Sequence, residues 1–390
     1  MAVISRLREV AVVRRGNKSD RILLGAIFVL SSIGLMMIYS ATRSSGTFSM
    51  ERQMIFVAAG LIILAVFSNI DYREYRVMLP IISIVTLVLL GAVFLFDPVS
   101  DGGVGQAYRW IPLGFFNLQP SEFAKVVVIL VLASLLSPER NSDEPPGRQL
   151  TWKKVGLALV VVAIPGAMIY EQPDLGTALV FGFVMIVLLF AAGATWRQML
   201  TLIGGVVGGA IAVVQLGLLS DYQLARIQCL VDPASDPTSA CYQLSQSMRA
   251  IGSGQLFGKG FLADGSMTSF EYVPEQQTDF IFTAVAEQFG LLGSLVVLAA
   301  FAIIVWRLLV IAANARDRFG ALIAVGVAAM IMFHVFVNVG MTVGIMPVTG
   351  IPLPFLSQGG SFYMAMALAL GIANSVWLMR TPVPSENQLL

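Results

Sequence analysis

The chain has 390 residues, 57% of them apolar and 12% charged, where soluble domains run to roughly half apolar and about 25% charged; with a mean hydropathy of +0.82, this excludes an ordinary water-soluble enzyme. A formal net charge of +1 excludes an electrostatic nucleic-acid binder, which needs a large basic excess. Two Cys and one His leave zinc-finger, iron–sulfur and Cys/His-protease readings without their ligands.

Hydrocarbon about 30 Å thick takes roughly 20 residues of apolar helix. Such windows run, in chain order, over 22–41, 54–70, 77–96, 123–136, 155–170, 175–195, 199–219, 280–305, 319–346 and 360–378. The fourth is short and is expected to begin near Pro120. Together they predict an all-α polytopic membrane protein whose ten transmembrane helices fill 22–379. Ten is even, so both termini share a side. The N-terminal tail 1–21 carries six Lys and Arg, and the positive-inside rule makes that side cytoplasmic, with the C-terminal tail 380–390 beside it. On this layout seventeen of the 24 Lys and Arg fall inside and seven outside. The first window is a full span with no small-residue cleavage site after it, so a cleavable signal peptide is not expected.

Three outside segments are more than plain connectors: 97–121, the large loop 220–278 between the seventh and eighth helices, and 347–359. In the large loop, Leu244, Met248 and Ile251 share one face of a short helix ended by Gly252 and Gly254. That helix either lies at the membrane surface or packs against other loops. Cys229 and Cys241, with eleven residues between them, either form a disulfide in an oxidising space or stay as free thiols.

Charges near helix ends stand out because membrane depth penalises them. Glu122 and Lys125 have i, i+3 spacing and form either a structural ion pair or, through Lys125, a hold on an anionic ligand. Arg109, beside Trp110, is of the type that reads phosphate. Asp174 fits an N-cap. Glu287 and His334, inside the eighth and ninth helices, are expected to satisfy each other as an interior polar pair. From Glu271 to Asp279 three carboxylates crowd nine residues. Asp279 is either a helix cap or a carboxylate partly desolvated by Phe280, Ile281 and Phe282, which suits a general base. The one His lies in a span, so acid–base work outside falls to carboxylates.

Four segments then carry a resemblance. They are Arg109-Trp110 with Gln119-Pro120-Ser121-Glu122-Phe123-Ala124-Lys125; Gln172-Pro173-Asp174-Leu175-Gly176-Thr177; Tyr272 to Phe282; and Pro352-Leu353-Pro354-Phe355 with Ser357-Gln358-Gly359-Gly360-Ser361. Over essentially its whole length the chain resembles the SEDS family (shape, elongation, division, sporulation) of bacterial cell-wall glycosyltransferases. The short tail after Arg380 and the run Asp232-Pro233…Asp236-Pro237 resemble its RodA branch.

The resemblance implies an enzyme of the bacterial cytoplasmic membrane, working on its outer side. It would polymerise lipid II into β-1,4 glycan strands during elongation, with inversion and loss of undecaprenyl diphosphate. It implies Asp279 as catalytic base. Arg43, Arg109, Glu122, Lys125, Lys259, Glu271 and Ser357 would bind substrate, and Asp174, Cys229 and Cys241 would be structural. A divalent cation, Mg or Mn, is expected, with Asp279 and Glu271 as possible ligands. The expected partners are a class B penicillin-binding protein, lipid II, the nascent glycan and the bilayer, with no nucleic acid. One departure is visible: the family usually has His two residues before the Asp, where this chain has Gln277. The rival readings are a lipid II flippase, for which Pro165 and Gly204-Gly205 would supply helix breaks, and a non-catalytic scaffold for the transpeptidase.

Overall fold

A computed structural model describes residues 18–43, 49–97, 99–100, 106–114, 116–137, 150–217, 224, 226, 228–230, 240–270 and 272–380. Among them are α1 (Arg21–Thr42), α2 (Ser49–Asn69), α3 (Tyr72–Ala92), α4 (Pro120–Leu136), α5 (Trp152–Tyr170), α6 (Leu175–Ala191), α7 (Trp196–Gln215), α8 (Ala240–Gly254), α9 (Ile281–Ala313), α10 (Arg318–Thr342) and α11 (Gly360–Leu378). Between α3 and α4 lie two antiparallel ribbons, β1 (Val99–Ser100) with β2 (Gln106–Ala107) and β3 (Ile111–Pro112) with β4 (Asn117–Leu118). In the second, Ile111 faces Leu118 and Pro112 faces Asn117.

Eight of these helices are long and apolar enough to cross a membrane, and α4 and α6 have 17 residues each. Their starts follow from local chemistry. Asp20 accepts from the backbone N of Ile22 and Leu23 to cap α1. Pro120 opens α4, where its missing N–H costs nothing. Thr195 and Gln198 form a reciprocal capping box at α7.

Burial sorts the helices into layers. The most apolar window is 83% buried in α11 and 67% in α10, but only 17% in α2 and α3. On α3, Val77, Ile81, Ile84 and Val88 recur on one face and all are more than 60% exposed, an apolar stripe that suits lipid. The central helices also bury polar groups: His334, Asn338 and Thr342 step along α10, with Asn374 and Ser375 on α11.

Two expectations are corrected. Glu287 and His334 do not pair with each other: Glu287 meets Lys259, and His334 meets Lys125 and the Pro352 carbonyl. Each is held by a loop or helix that the sequence separates widely from it. The eighth window is also not one helix. The segment Ile281–Ala313 breaks at Gly290, whose φ of 65° and ψ of −160° lie outside the helical region. The large-loop helix α8 packs on protein: Leu244 and Ala250 are buried with Val273, Phe280 and Val348, and Ser247 donates to the Thr342 carbonyl at 2.7 Å. Cys229 and Cys241 are joined in a disulfide.

Candidate active site

Asp279 ends a turn that precedes α9. The backbone N of Thr278, Asp279 and Phe280 all donate to the Glu275 carbonyl at 3.1–3.4 Å. Phe280 is buried against Val273 and Val348, so the apolar side of the turn is fixed while Asp279 stays half-buried. Three carbonyls of the turn are then held from outside. Gln358 N donates to Gln277 O at 2.9 Å, Ser357 Oγ to Thr278 O, and Asn338 Nδ2 to Asp279 O at 2.8 Å. Asn338 also donates to Ile351 O at 2.7 Å. Gly350 passes beside the carboxylate; with φ at +72°, a Cβ there would stand 3.2 Å from Asp279 Oδ2. Glycine leaves that approach open.

One helical turn before Asn338, His334 links the same loop to a buried ion pair. Lys125 Nζ lies 2.7 Å from Glu122 Oε2, and the two side chains are 2% and 3% exposed. Lys125 Nζ is 3.3 Å from His334 Nε2, and His334 Nδ1 is 3.0 Å from Pro352 O. A carbonyl can only accept, so Nδ1 carries the proton and Nε2 accepts from the lysine. The Phe362 ring centroid lies 5.4 Å from the ammonium. Asp279 and Lys125 thus attach to one face of α10, through Asn338 and His334, and the same two side chains hold the adjacent Ile351 and Pro352 carbonyls.

The remaining candidates have the following partners. Arg109 donates to the Gln172 carbonyl at 3.2 Å and to the Pro173 carbonyl, so its guanidinium ties the 106–118 ribbons to the turn before α6. Asp174 caps α6 by accepting from Thr177 N at 3.1 Å. Gly176 packs against Ile351 and the Thr349 carbonyl of the 347–359 segment. Ser357 is fully buried, accepting from Leu353 N while it donates to Thr278 O. Lys259 pairs with Glu287 at 2.8 Å. Arg43 is exposed at the end of α1, one turn beyond Ser40, which donates to Gln288 Oε1 at 3.0 Å. Glu271 and the Asp232–Pro237 run lie outside the described residues.

Sequence reasoning missed Asn338 and Gly350. Asn338 carried a signal, since it is a polar residue within an apolar window; Gly350 carried none, because its role exists only in the fold. Among the described residues no three His, Cys, Asp or Glu converge to hold a metal ion.

A family model of cell cycle proteins, FtsW/RodA/SpoVE, matches residues 20–381. The chain is 40% identical over 330 residues to peptidoglycan glycosyltransferase MrdB of Escherichia coli (strain K12), covering 84% of this chain and 85% of that one. It superposes with a TM-score of 0.77 and 27% identity on a chain from a structure concerning coordination of polymerization and crosslinking by a peptidoglycan synthase complex, covering 92% and 98% of the two chains. A mutant of Thermus thermophilus Rod shape determining protein RodA matches with a TM-score of 0.68 and 25% identity, over 94% and 99% of the two chains.

Proposed function

The chain belongs to the FtsW/RodA/SpoVE family and is a peptidoglycan glycosyltransferase of cell-wall synthesis, and we propose that it polymerises lipid II with Asp279 as the general base. The observation that carries this reading is the Asp279 turn. Its main chain is gripped at three successive carbonyls while its carboxylate stays half-buried beside an open glycine. A base needs such preorganisation, because misplacement is costly in rate.

In the proposed reaction the carboxylate takes the proton of the 4-hydroxyl of a GlcNAc acceptor. The hydroxyl oxygen attacks the anomeric carbon of the donor sugar from the face opposite the diphosphate. The C1–O bond to the diphosphate breaks, undecaprenyl diphosphate leaves, and a β-1,4 bond forms with inversion. Arg43, exposed at the end of α1, is proposed to meet the leaving diphosphate. Lys125 and Glu122 sit behind the 351–352 loop and set its position through His334. Arg109, Ser357 and Asp174 are proposed to shape the site rather than touch the sugar, since each is bonded to protein. Glu271 remains our candidate for placing the acceptor.

A Mg or Mn ion is proposed to bind with the substrate diphosphate, with Asp279 and Glu271 as its candidate carboxylate ligands, in the way Mg commonly binds by phosphates plus one or two carboxylates. We further propose ten spans, with α4 and α6 as the short ones, and both termini cytoplasmic. The site end then faces outward, and the Cys229–Cys241 disulfide supports this by requiring an oxidising side. The proposed membrane is the bacterial cytoplasmic one, and the proposed partner is a class B penicillin-binding protein that would crosslink the strands.

The test is purified protein, with and without that transpeptidase, fed labelled lipid II and Mg²⁺ or Mn²⁺. Wild type is expected to give a polymer ladder. Asp279→Asn is expected to lose at least about 10²–10⁴-fold in rate while eluting as the folded protein. An inert wild type would return the flippase or the scaffold reading.

A further inference from the structure

Glu287 is a carboxylate that the reaction does not use, and it is fully buried. It gathers four donors within 3.0 Å. Lys259 Nζ and Met267 N donate to Oε1 at 2.8 and 2.7 Å. Thr268 N and Thr268 Oγ1 donate to Oε2 at 2.9 and 2.7 Å. A buried charge with this many partners is held firmly, and it holds its donors equally firmly.

The chain of bonds does not stop there. Gln276 Nε2 donates to Thr268 Oγ1 at 3.1 Å and to Thr283 Oγ1 at 2.9 Å. Thr283 Oγ1 donates onward to Phe280 O at 2.6 Å. Each hydroxyl gives its one proton away, to Glu287 or to the Phe280 carbonyl, so each must accept from Gln276. Thr268, Gln276, Thr283 and Glu287 are all at most 2% exposed. Gln276 is three residues before Asp279, and Phe280 is the residue after it.

The turn that carries Asp279 thus has two supports. The 338–358 side grips its carbonyls, and the Glu287 side grips it through the Gln276 amide. We propose that Glu287, with Lys259, is a positioning device for Asp279, acting through Thr268 and Gln276, and that Lys259 belongs to this device rather than to the substrate-binding surface. This rests on the reading of Asp279 as the base.

The roles separate in kinetics. A group that binds substrate alters KM, whereas one that only places the base alters kcat. Thr268→Val keeps the side-chain shape and removes the hydroxyl that joins Glu287 to Gln276. In the full-length protein with lipid II, kcat is expected to fall about 10- to 100-fold, with KM unchanged within about twofold. Thr268→Ser, which restores the hydroxyl, is expected to recover most of kcat. Lys259→Met is expected to lower kcat in the same way, with KM for lipid II held.

A Thr268→Val enzyme with wild-type kcat, a Thr268→Ser enzyme no better than the valine variant, or a Lys259→Met enzyme altered only in KM overturns the proposal. Should Thr268→Val not elute as folded protein, Gln276→Met is read by the same criteria, since it removes the amide while keeping the length. A wild type that makes no polymer overturns the polymerase reading and this proposal with it. An active wild type, an inactive Asp279→Asn and an unaffected Thr268→Val overturn this proposal alone.

Discussion

A lysine ammonium at 2% exposure is stable only with partners, and Lys125 has Glu122 and His334 around it. Removing one partner of such a pair costs more than removing both, because the survivor is left buried without its partner. Lys125→Met is therefore expected to destabilise the protein by about 3–5 kcal/mol, read as a fall in the thermal midpoint in detergent. Adding Glu122→Gln should bring most of that back, since neither residue then carries a buried charge. A double variant as unstable as the single one would refute the ion-pair account. The spacing of Glu122 and Lys125 was visible in the sequence as a possible i, i+3 pair. The histidine was not, because it stands 209 residues further along, and only packing of α4 on α10 makes them neighbours.

At the scale of an element, α9 is the instructive case. Its apolar run reads as one uninterrupted span, and neither Gly290 nor Gly293 within it carries a period that marks a break. The break becomes necessary through what docks on it. Lys259 N and Gly260 N donate to the carbonyls of Glu287 and Gln288, and Leu291 N and Leu292 N donate to those of Gln255 and Leu256. The loop supplies the partners that the interrupted helix lacks, as backbone at membrane depth requires. A Cβ at 290 would stand 2.4 Å from Gly258 N, and its φ of +65° is costly for any other residue. Gly290→Ala is expected to cost at least about 1–3 kcal/mol in strain and to expose the 255–270 segment to limited proteolysis; an unchanged digestion pattern would refute the docking. The disulfide acts on the neighbouring α8. Replacing Cys229 and Cys241 with Ser is expected to cost about 2–3 kcal/mol through loop entropy, seen as a lower thermal midpoint that reductant also produces in wild type.

Across the whole molecule, the start of α1 is tied to the C-terminal ends of α9 and α11. Asp20 caps α1 with one oxygen and takes Arg307 Nη2 at 2.6 Å with the other. Its backbone N donates to Asn374 Oδ1, and Trp377 Nε1 donates to Lys18 O. Arg307 stacks near Trp377, 5.3 Å from its centroid. Asp20→Ala removes both a cap and the partner of a largely buried guanidinium, so a loss of about 3–5 kcal/mol is expected. Asp20→Asn, which keeps the cap, should lose less; equal losses in the two variants would show that the cap contributes nothing.

Hydropathy alone located the apolar helices, because lipid-facing stripes such as Val77–Val88 must be apolar whatever their neighbours are. Short-range chemistry placed the cap at Asp174 and the start of α4 at Pro120, since both depend on backbone groups within a few residues. The motif residues pointed to Asp279. The grip on its turn was decided by tertiary structure: Asn338, Ser357 and Gln358 act across 59 to 81 residues of sequence. The same holds for Glu287, whose partners come from a loop folded back onto a broken helix. Periodicity reports which face of a helix avoids water, and neighbouring residues report how a helix begins. Neither reports which polar group, buried in one helix, will meet a carbonyl from another, because that depends on how the bundle packs.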